Sequence, residues 1–173
     1  MNACALRPAV EPDDHRALAA LARDIWHEHY PAIISLDQIE YMLANGYSAQ
    51  TLAAEQAAGT RFVLARISDA GDAGFASVSP DSKDTATAWL DKFYVRRAHR
   101  GAGVGRRLLD WAIDTALAID ARALCLRVNR HNAQSVAIYR HAGFAIERAD
   151  VKPIGQGFVM DDYIMRKPLA SAG

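Results

Sequence analysis

A strand in this sequence leads through a glycine-rich turn straight into a helix. Residues Thr85–Val95 are rich in β-branched and aromatic side chains, which favour a strand. Residues 96–107 then contain three glycines and five arginines and no acidic residue. From Val104 to about Asp120 the apolar residues recur at helical spacing, so a helix follows the turn. This order leaves unpaired backbone amides at the helix start, where a phosphate group is favoured.

The charge around the turn indicates a compact anionic ligand. The five arginines are Arg96, Arg97, Arg100, Arg106 and Arg107, whereas the whole chain has 20 Lys+Arg against 20 Asp+Glu and no net charge. A nucleic-acid-binding protein needs a basic face over much of the domain, so we expect no nucleic-acid partner. A dinucleotide fingerprint would need glycine where Arg106 stands, and a P-loop would need Gly-Lys-Ser/Thr, so neither motif is present. A turn that merely connects strand to helix is the alternative interpretation.

Length and composition favour a single domain that spans residues 1–173. A chain of 173 residues, of which 51% are hydrophobic, is long enough for a sizeable core. No window of about 18 apolar residues lacks charges, and the first residues do not form a basic and apolar leader. We therefore expect no membrane partner and a cytoplasmic protein. The two cysteines, Cys4 and Cys125, spell neither a disulfide framework nor a zinc motif, so we expect no metal.

The rest of the chain alternates between helical and strand patterns. The predicted helices are one from Pro12 that Pro31 closes, followed by Ser35–Asn45, Ser48–Ala58, the helix after the glycine turn and Asn132–Ala142. The predicted strands are Leu6–Val10, Arg61–Ser68, Gly74–Ser79, Thr85–Val95, Ala123–Asn129, Phe144–Val151 and Phe158–Met165. This order predicts a mixed α/β sheet.

Two separate motifs resemble those of the GCN5-related N-acetyltransferase (GNAT) family. The first runs from Phe93-Tyr94-Val95 to Arg100-Gly101-Ala102-Gly103-Val104-Gly105-Arg106 and resembles the family's acyl-CoA-binding signature. That signature has Arg or Gln, two spacers, Gly, a spacer and Gly, which fall on Arg100, Gly103 and Gly105. The second is Asn132 to Tyr139 followed by Gly143-Phe144, which is similar to the family's segment after its fifth strand. Because both occur in the family's order, the chain is identified as a member.

The resemblance implies a fold and a cosubstrate. The fold would be α/β, with a mixed, mostly antiparallel central sheet of about seven strands flanked by helices and a splay between the fourth and fifth strands, over most of the 173 residues. The cosubstrate would be acetyl-CoA, with no metal. The backbone amides of Arg100–Arg106 would hold its pyrophosphate, Phe93–Val95 would pair with its pantetheine arm, and Asn132 with the neighbouring Ser135 would position that arm.

The resemblance also implies a direct attack by an amine on the thioester, with Tyr139 as general acid to the departing CoA thiolate. Asn132 and Tyr139 are seven residues apart, so they project from one helix face with Ser135 between them. A phenol with a pKa near about 10 and a thiol near about 8.5 are close enough for useful hydrogen-bond donation. From the residues alone, a helix N-cap for Asn132 and a packed aromatic for Tyr139 stay open.

The sequence names no clear base for the protonated amine. Many relatives carry a glutamate on the fourth strand, whereas this chain has Trp89 near that position and Asp91 two residues later. We expect Asp91 to act, through water, with an exposed strand carboxylate as the alternative. Cys125 lies mid-strand with no activating base in view, so we expect it to pack as a small hydrophobe.

Three segments place acids beside aromatic or neighbouring acidic residues and would suit a cationic acceptor. They are residues 26–30, Glu40-Tyr41 and Asp161-Asp162, each of which could equally be solvated. Residues 157–165 also show a weak similarity to bacterial polyamine N-acetyltransferases. The expected acceptor is therefore a small primary amine, with a polyamine as one option. The alternatives are a protein or peptide amine, and a non-catalytic acyl-CoA-binding sensor. A homodimer through the C-terminal strands stays open.

Overall fold

The computed structural model describes residues 4–68 and 70–170. The helices of this part are α1 (Pro12–His29), α2 (Leu36–Gly46), α3 (Ala49–Ala57), α4 (Val104–Leu117) and α5 (Ala133–His141). Its strands are β1 (Cys4–Pro8), β2 (Arg61–Ile67), β3 (Gly71–Pro80), β4 (Thr87–Val95), β5 (Ala123–Asn129), β6 (Ala145–Gly155) and β7 (Phe158–Pro168). The predicted helices and strands are therefore confirmed, with ends that move by a few residues.

The strands form one mixed sheet in the order β1-β2-β3-β4-β5-β7-β6. The pairs β1–β2, β2–β3, β5–β7 and β6–β7 are antiparallel, whereas β4 and β5 are parallel. The parallel ladder joins Thr87–Leu90 to Ala123–Leu126, and both strands continue beyond it. This early end of the ladder agrees with the expected splay, and the order confirms the predicted fold class.

The described chain divides into two compact units, one of Met1–Ser79 with Lys92–Ala112 and the other of Pro80–Asp91 with Ile113–Gly173. In the first unit, α1 begins where Asp14 accepts hydrogen bonds from the amides of Val10 and Glu11, at 2.9 and 3.0 Å. Arg7 binds the same carboxylate at 2.7 Å. Because this cap satisfies amides that the helix itself leaves unpaired, it defines where α1 starts.

The core of the first unit lies between α1 and the strands. Leu18, Leu21 and Ile25 follow the helical repeat of α1 and are buried with Phe62 and Phe75. The same cluster includes buried residues of α2 and α3. The apolar stripe that the sequence predicts on α1 is therefore its buried face.

The second unit has its core between β5 and α5. Leu124, Leu126 and Val128 alternate along β5 and are buried. Lys167 pairs opposite Leu124 in the ladder and donates a hydrogen bond from Nζ to the carbonyl oxygen of Ala142, at 2.9 Å. Since Ala142 is the C-cap of α5, this contact shows that α5 covers the Leu124 face of the sheet.

Among the helices of the described residues, none has the length and apolar character needed to cross a membrane.

Candidate active site

The glycine turn joins β4 to α4 in the first unit. Gly101 and Gly103 have φ angles of +79° and +81°, a conformation that glycine adopts without the strain other residues suffer. A Cβ at Gly105 would lie 3.8 Å from the ring of Phe93 and 3.9 Å from the side chain of Val95, so the first turn of α4 packs on the end of β4. The first amides of a helix have no intrahelical acceptor and sit at its positive end, so this turn can hold a phosphate.

The five arginines near the turn have different roles. Arg96 binds the Asp24 carboxylate on α1 at 2.8 Å, and Arg107 donates to a backbone carbonyl of β1, so both are used by the fold. Arg100 and Arg106 are exposed. Nε of Arg100 donates to the carbonyl oxygen of Val95 at 3.2 Å, which holds the side chain beside the strand end. Arg106, and Arg100 through the guanidinium nitrogens beyond Nε, are thus placed to meet an anion.

The end of β4 presents different side chains to its two faces. Phe93 and Val95 lie toward α4, as their contact with Gly105 shows. Tyr94 points the other way, because its hydroxyl bonds the Tyr47 hydroxyl at 2.7 Å and its ring lies 6.0 Å from that of Trp26. The sequence therefore places three neighbouring residues at the cosubstrate strand, and the fold uses the Tyr94 side chain for packing.

A buried ion pair beside this aromatic cluster was not foreseen from the sequence. Lys92 has only 7% of its side chain exposed and binds Glu55 of α3 at 2.6 Å. Its Nζ also lies 5.1 Å from the centre of the Tyr47 ring. An isolated lysine on a strand gives no signal of its partner, which lies 37 residues away in the chain.

The expected acceptor segments on α1 and α2 meet each other. His27 and Arg23 both contact the Glu40 carboxylate, at 2.7 and 2.9 Å, and these hydrogen bonds lower the pKa of Glu40, with His27 as the larger cause. Arg23 and His27 also border a shallow surface cleft of about 600 Å³. Trp26 is buried in the aromatic cluster. The charges of this surface are thus largely satisfied within the fold, while Asp161 and Asp162 belong to the other unit.

Helix α5 of the second unit carries Asn132 and Tyr139. Asn132 caps the helix, since its side-chain oxygen accepts from the amide of Ser135 at 3.3 Å. Asn132 and Tyr139 are both buried, and the Tyr139 ring meets that of Phe144 edge-on at 5.8 Å. The capping interpretation of Asn132 is therefore confirmed, and its side-chain NH₂ is the group that can still donate to a ligand.

The strand position where relatives carry a glutamate holds an immobilised indole. The Trp89 ring NH donates to the Asp81 carboxylate at 2.6 Å, and the Arg127 guanidinium lies 5.7 Å from the indole ring. The hydrogen bond from Trp89 is the main cause that lowers the pKa of Asp81. Asp91 follows on the same strand and is exposed. Neither Trp89 nor Asp81 can serve as the base, because the indole has no acceptor and the carboxylate is engaged.

Asp162 is a buried carboxyl on β7. It pairs opposite Asn129 of β5, and only 4% of the residue is exposed. Burial raises its pKa to about 6; the positive charge of Arg127 opposes that rise, and the negative charges of Asp150 and Asp161 add to it. The sequence predicts Asp162 as part of an acidic acceptor segment, and its burial is seen only in the structure.

Cys125 behaves as expected of a small core residue. It is buried, and burial raises the pKa of its thiol, so the reactive thiolate is disfavoured. Within residues 4–68 and 70–170, no group of three or more His, Cys, Asp or Glu side chains could hold a metal ion.

The profile of the acetyltransferase (GNAT) family matches residues 16–144, which include the glycine turn and α5. The chain belongs to the acetyltransferase (GNAT) family. This GNAT chain is 36% identical to a streptothricin acetyltransferase from Streptomyces lavendulae over 88 residues, which cover 51% of the chain and 46% of that protein. It is 35% identical to an IAA acetyltransferase from Azospirillum brasilense over 80 residues, which cover 46% of the chain and 50% of that protein. The match thus spans about half the length of these curated relatives.

A solved structure extends the likeness to nearly the whole GNAT chain. The PaiA N-acetyltransferase from Thermoplasma acidophilum, in complex with coenzyme A, matches with a TM-score of 0.80. The two chains are 24% identical, and the match covers 96% of this chain and 99% of the other. At this identity the likeness shows the fold, and the fold agrees with the one predicted from the glycine turn and the α5 motif.

Proposed function

We propose that this protein transfers the acetyl group of acetyl-CoA directly to a small primary amine. The observation that carries the proposal is the glycine turn, which has two left-handed glycines at the start of α4 and the exposed arginines Arg100 and Arg106 beside it. A turn of this kind offers backbone amides and positive charge to a diphosphate. Membership of the GNAT family supports the assignment of that diphosphate to acetyl-CoA.

The proposed cosubstrate-binding residues are assigned within each unit by itself. In the first unit, the backbone of residues 100–106 would hold the pyrophosphate, and the strand end Phe93–Val95 would pair with the pantetheine arm. In the second unit, Asn132 would position that arm through its side-chain NH₂, and Ser135 in the first turn of α5 would assist it. The pairing role of Phe93–Val95 is supported by the ladder between β4 and β5, which ends at Leu90.

Tyr139 is the proposed general acid. As the amine nitrogen bonds to the thioester carbon and the carbon–sulfur bond breaks, negative charge develops on sulfur. A phenol that donates a hydrogen bond or its proton to that sulfur lowers the barrier. The Tyr139 ring is fixed by burial and by its contact with Phe144, so the hydroxyl is held in one direction. Asp91 stays the sequence-based candidate for the base, and its exposed position suits action through water.

A small acceptor is favoured over a protein. The two curated relatives are named for streptothricin and IAA, which are small molecules. Whether a polyamine is among the acceptors of this protein stays a prediction from the similarity of residues 157–165.

The test is CoA thiol release from acetyl-CoA across a panel of diamines, polyamines, amino acids, streptothricin and lysine peptides. Thiol release with a small amine is expected. Tyr139→Phe should lower kcat about 100-fold or more, as expected for a lost general acid, and leave the Kd of acetyl-CoA within about threefold. Tyr163→Phe on β7 is the matched control, because it loses the same hydroxyl from a half-buried tyrosine of the same unit. An unchanged kcat in Tyr139→Phe would remove Tyr139 from the reaction. Release from no amine would contradict the proposed function itself.

A further inference from the structure

The second unit holds a carboxylate that lacks the partner its burial demands. The Oδ2 atom of Asp162 is inaccessible to solvent and has no hydrogen-bond partner within residues 4–68 and 70–170. A buried, unpaired carboxylate costs free energy, so such groups are normally paired or used in function. The side chain is thus positioned to take a hydrogen-bond donor or a cation that the protein does not supply.

The charges around Asp162 are paired with each other. Arg127 of β5 binds Asp150 of β6, which stands directly opposite Asp162 in the sheet. Asp161 binds the Arg130 guanidinium at 2.7 Å and faces His131 at 3.4 Å. Since each neighbouring aspartate has its own basic partner, one negative charge is left over, and Asp162 carries it. This excess favours a positively charged ligand.

Asp162 lies on the sheet face away from α5. Lys167 contacts the C-terminal end of α5, and Asp162 precedes it by five residues on β7. Residues an odd number apart on a strand point to opposite faces, and the β5–β7 register has no bulge that would change this. Tyr139 therefore belongs to the helix on one face, and Asp162 points to the other. The acid proposed for the thiolate and the carboxylate of Asp162 are therefore on different faces of the sheet.

We propose that Asp162 binds the ammonium group of the acceptor and receives its proton. This inference rests on the proposed function and names its base and its substrate class, an amine that is cationic at neutral pH. The carboxylate takes one proton from the ammonium, and the freed nitrogen lone pair forms the bond to the thioester carbon. The carbon–sulfur bond breaks, and the thiolate takes the phenol proton of Tyr139. The phenol is restored by the second proton of the attacking nitrogen, and Asp162 passes its own proton to water.

The side chains around Asp162 leave a way in for a small amine. Asp150 stands opposite Asp162 on β6, and Arg127 of β5 binds Asp150; their side chains are 32% and 36% exposed. Asp162 itself is only 4% exposed, so it is covered where these two side chains still reach solvent. An ammonium that takes the place of the Arg127 guanidinium beside Asp150 would meet both carboxylates, because it carries the same charge.

The electrostatics suit a base that works near neutral pH. Burial and the negative charges of Asp150 and Asp161 raise the pKa of Asp162 to about 6, and Arg127 opposes them. At pH 7 the carboxyl is still mainly ionised, and it holds a proton more strongly than an ordinary aspartate. Asp91 is exposed to water and gains no such advantage from burial.

The experiment measures kcat/KM for the best alkyl amine from pH 5 to 10, in the wild type and in Asp162→Asn, Asp91→Asn and Asp110→Asn. Asp110 is an exposed carboxylate of α4 and controls for the lost charge. In the wild type, kcat/KM should fall as the pH drops through about 6. At pH 7, Asp162→Asn should lose about 100-fold or more, and its kcat/KM should rise about tenfold per pH unit as free amine forms.

The outcomes separate this inference from the proposed function. Asp162→Asn should keep the acetyl-CoA Kd and unfold in one cooperative melting transition, which shows that it folds. If the wild type is active and Asp162→Asn has the same kcat/KM, the inference is overturned and the proposed function stands. The same holds if Asp91→Asn, and not Asp162→Asn, loses the fall of kcat/KM at acidic pH. A wild-type profile that is flat through pH 6 also overturns it, even if the variant fails to fold. Thiol release from no amine removes both.

Discussion

Asp162 should make the folded protein less stable as the pH rises. Its pKa is 3.8 in an ordinary environment and about 6 in the fold, because burial disfavours the charged form. Below about pH 3.8 the carboxyl is protonated in both states and costs nothing. Between about pH 3.8 and 6 the folded state binds more protons than the unfolded state, so the free energy of unfolding falls as the pH rises. Above about pH 6 the penalty stays constant.

The size of the penalty follows from the two pKa values. A difference of about two pH units, at about 1.4 kcal/mol for each, corresponds to about 3 kcal/mol of lost stability at pH 7. Asp162→Asn removes the charge and keeps the shape, so it should escape this penalty. Its unfolding free energy relative to the wild type should therefore increase by about 3 kcal/mol between about pH 4 and 7.

Urea unfolding of both proteins at half-unit steps from pH 4 to 8 measures this change. All other groups titrate in both proteins, so the difference between the two curves isolates Asp162. The fixed cost of burying an amide shifts that difference by the same amount at every pH. A difference that stays constant from pH 4 to 8 would refute the reasoning, since it would mean that Asp162 titrates as an ordinary, solvated carboxyl.

Three further substitutions test other parts of the structure. Asp14→Asn removes the charge that pairs with Arg7 and keeps an oxygen for the cap of α1; the hydrogen bond from Arg7 lowers the Asp14 pKa to about 2, so urea unfolding at pH 7 should show a loss of about 2 kcal/mol that disappears as the pH falls from about 3.8 to 2. An unchanged loss at pH 2 would contradict that role. Gly74→Ala would bring a Cβ into the carbonyl oxygen of Tyr94, and denaturant unfolding should show a loss of about 3 kcal/mol, whereas a loss under about 1 kcal/mol would mean the strands are not so close. Gly103→Ala has room for a Cβ, but alanine holds a φ of +81° only at a cost of about 1–2 kcal/mol. Calorimetry should therefore show acetyl-CoA binding weakened about tenfold. Equal affinity would exclude the turn from the site.

Local patterns predicted the elements of this chain well because they depend on neighbouring residues. The glycines at 101 and 103 indicated a turn, and both adopt positive φ. A helix cap was the alternative that the sequence left open for Asn132, and it caps α5. Periodic apolar residues on α1 became its buried face. In each case the residues that form the pattern and the backbone conformation that it predicts lie in the same short segment of the chain.

Local patterns failed where a side chain meets a partner from a distant part of the chain. The arginine cluster predicted a single anion site. In the structure, Arg96 binds a carboxylate 72 residues away and Arg107 binds a backbone carbonyl 103 residues away. Lys92 gave no sign of its buried pair with Glu55. Such pairings depend on which strands and helices lie side by side, and charge or periodicity in one segment carries no record of that.

The sequence by itself determined the order of strands and helices, the glycine turn at the start of α4 and the resemblance to the GNAT family. It could also say that Asp162 is acidic and Tyr139 aromatic. Only the tertiary structure decided that the Oδ2 atom of Asp162 is buried without a hydrogen-bond partner among the described residues, on the sheet face opposite to α5. The physical reason is that burial and desolvation depend on the strands that flank β7, and these come together only when the sheet forms.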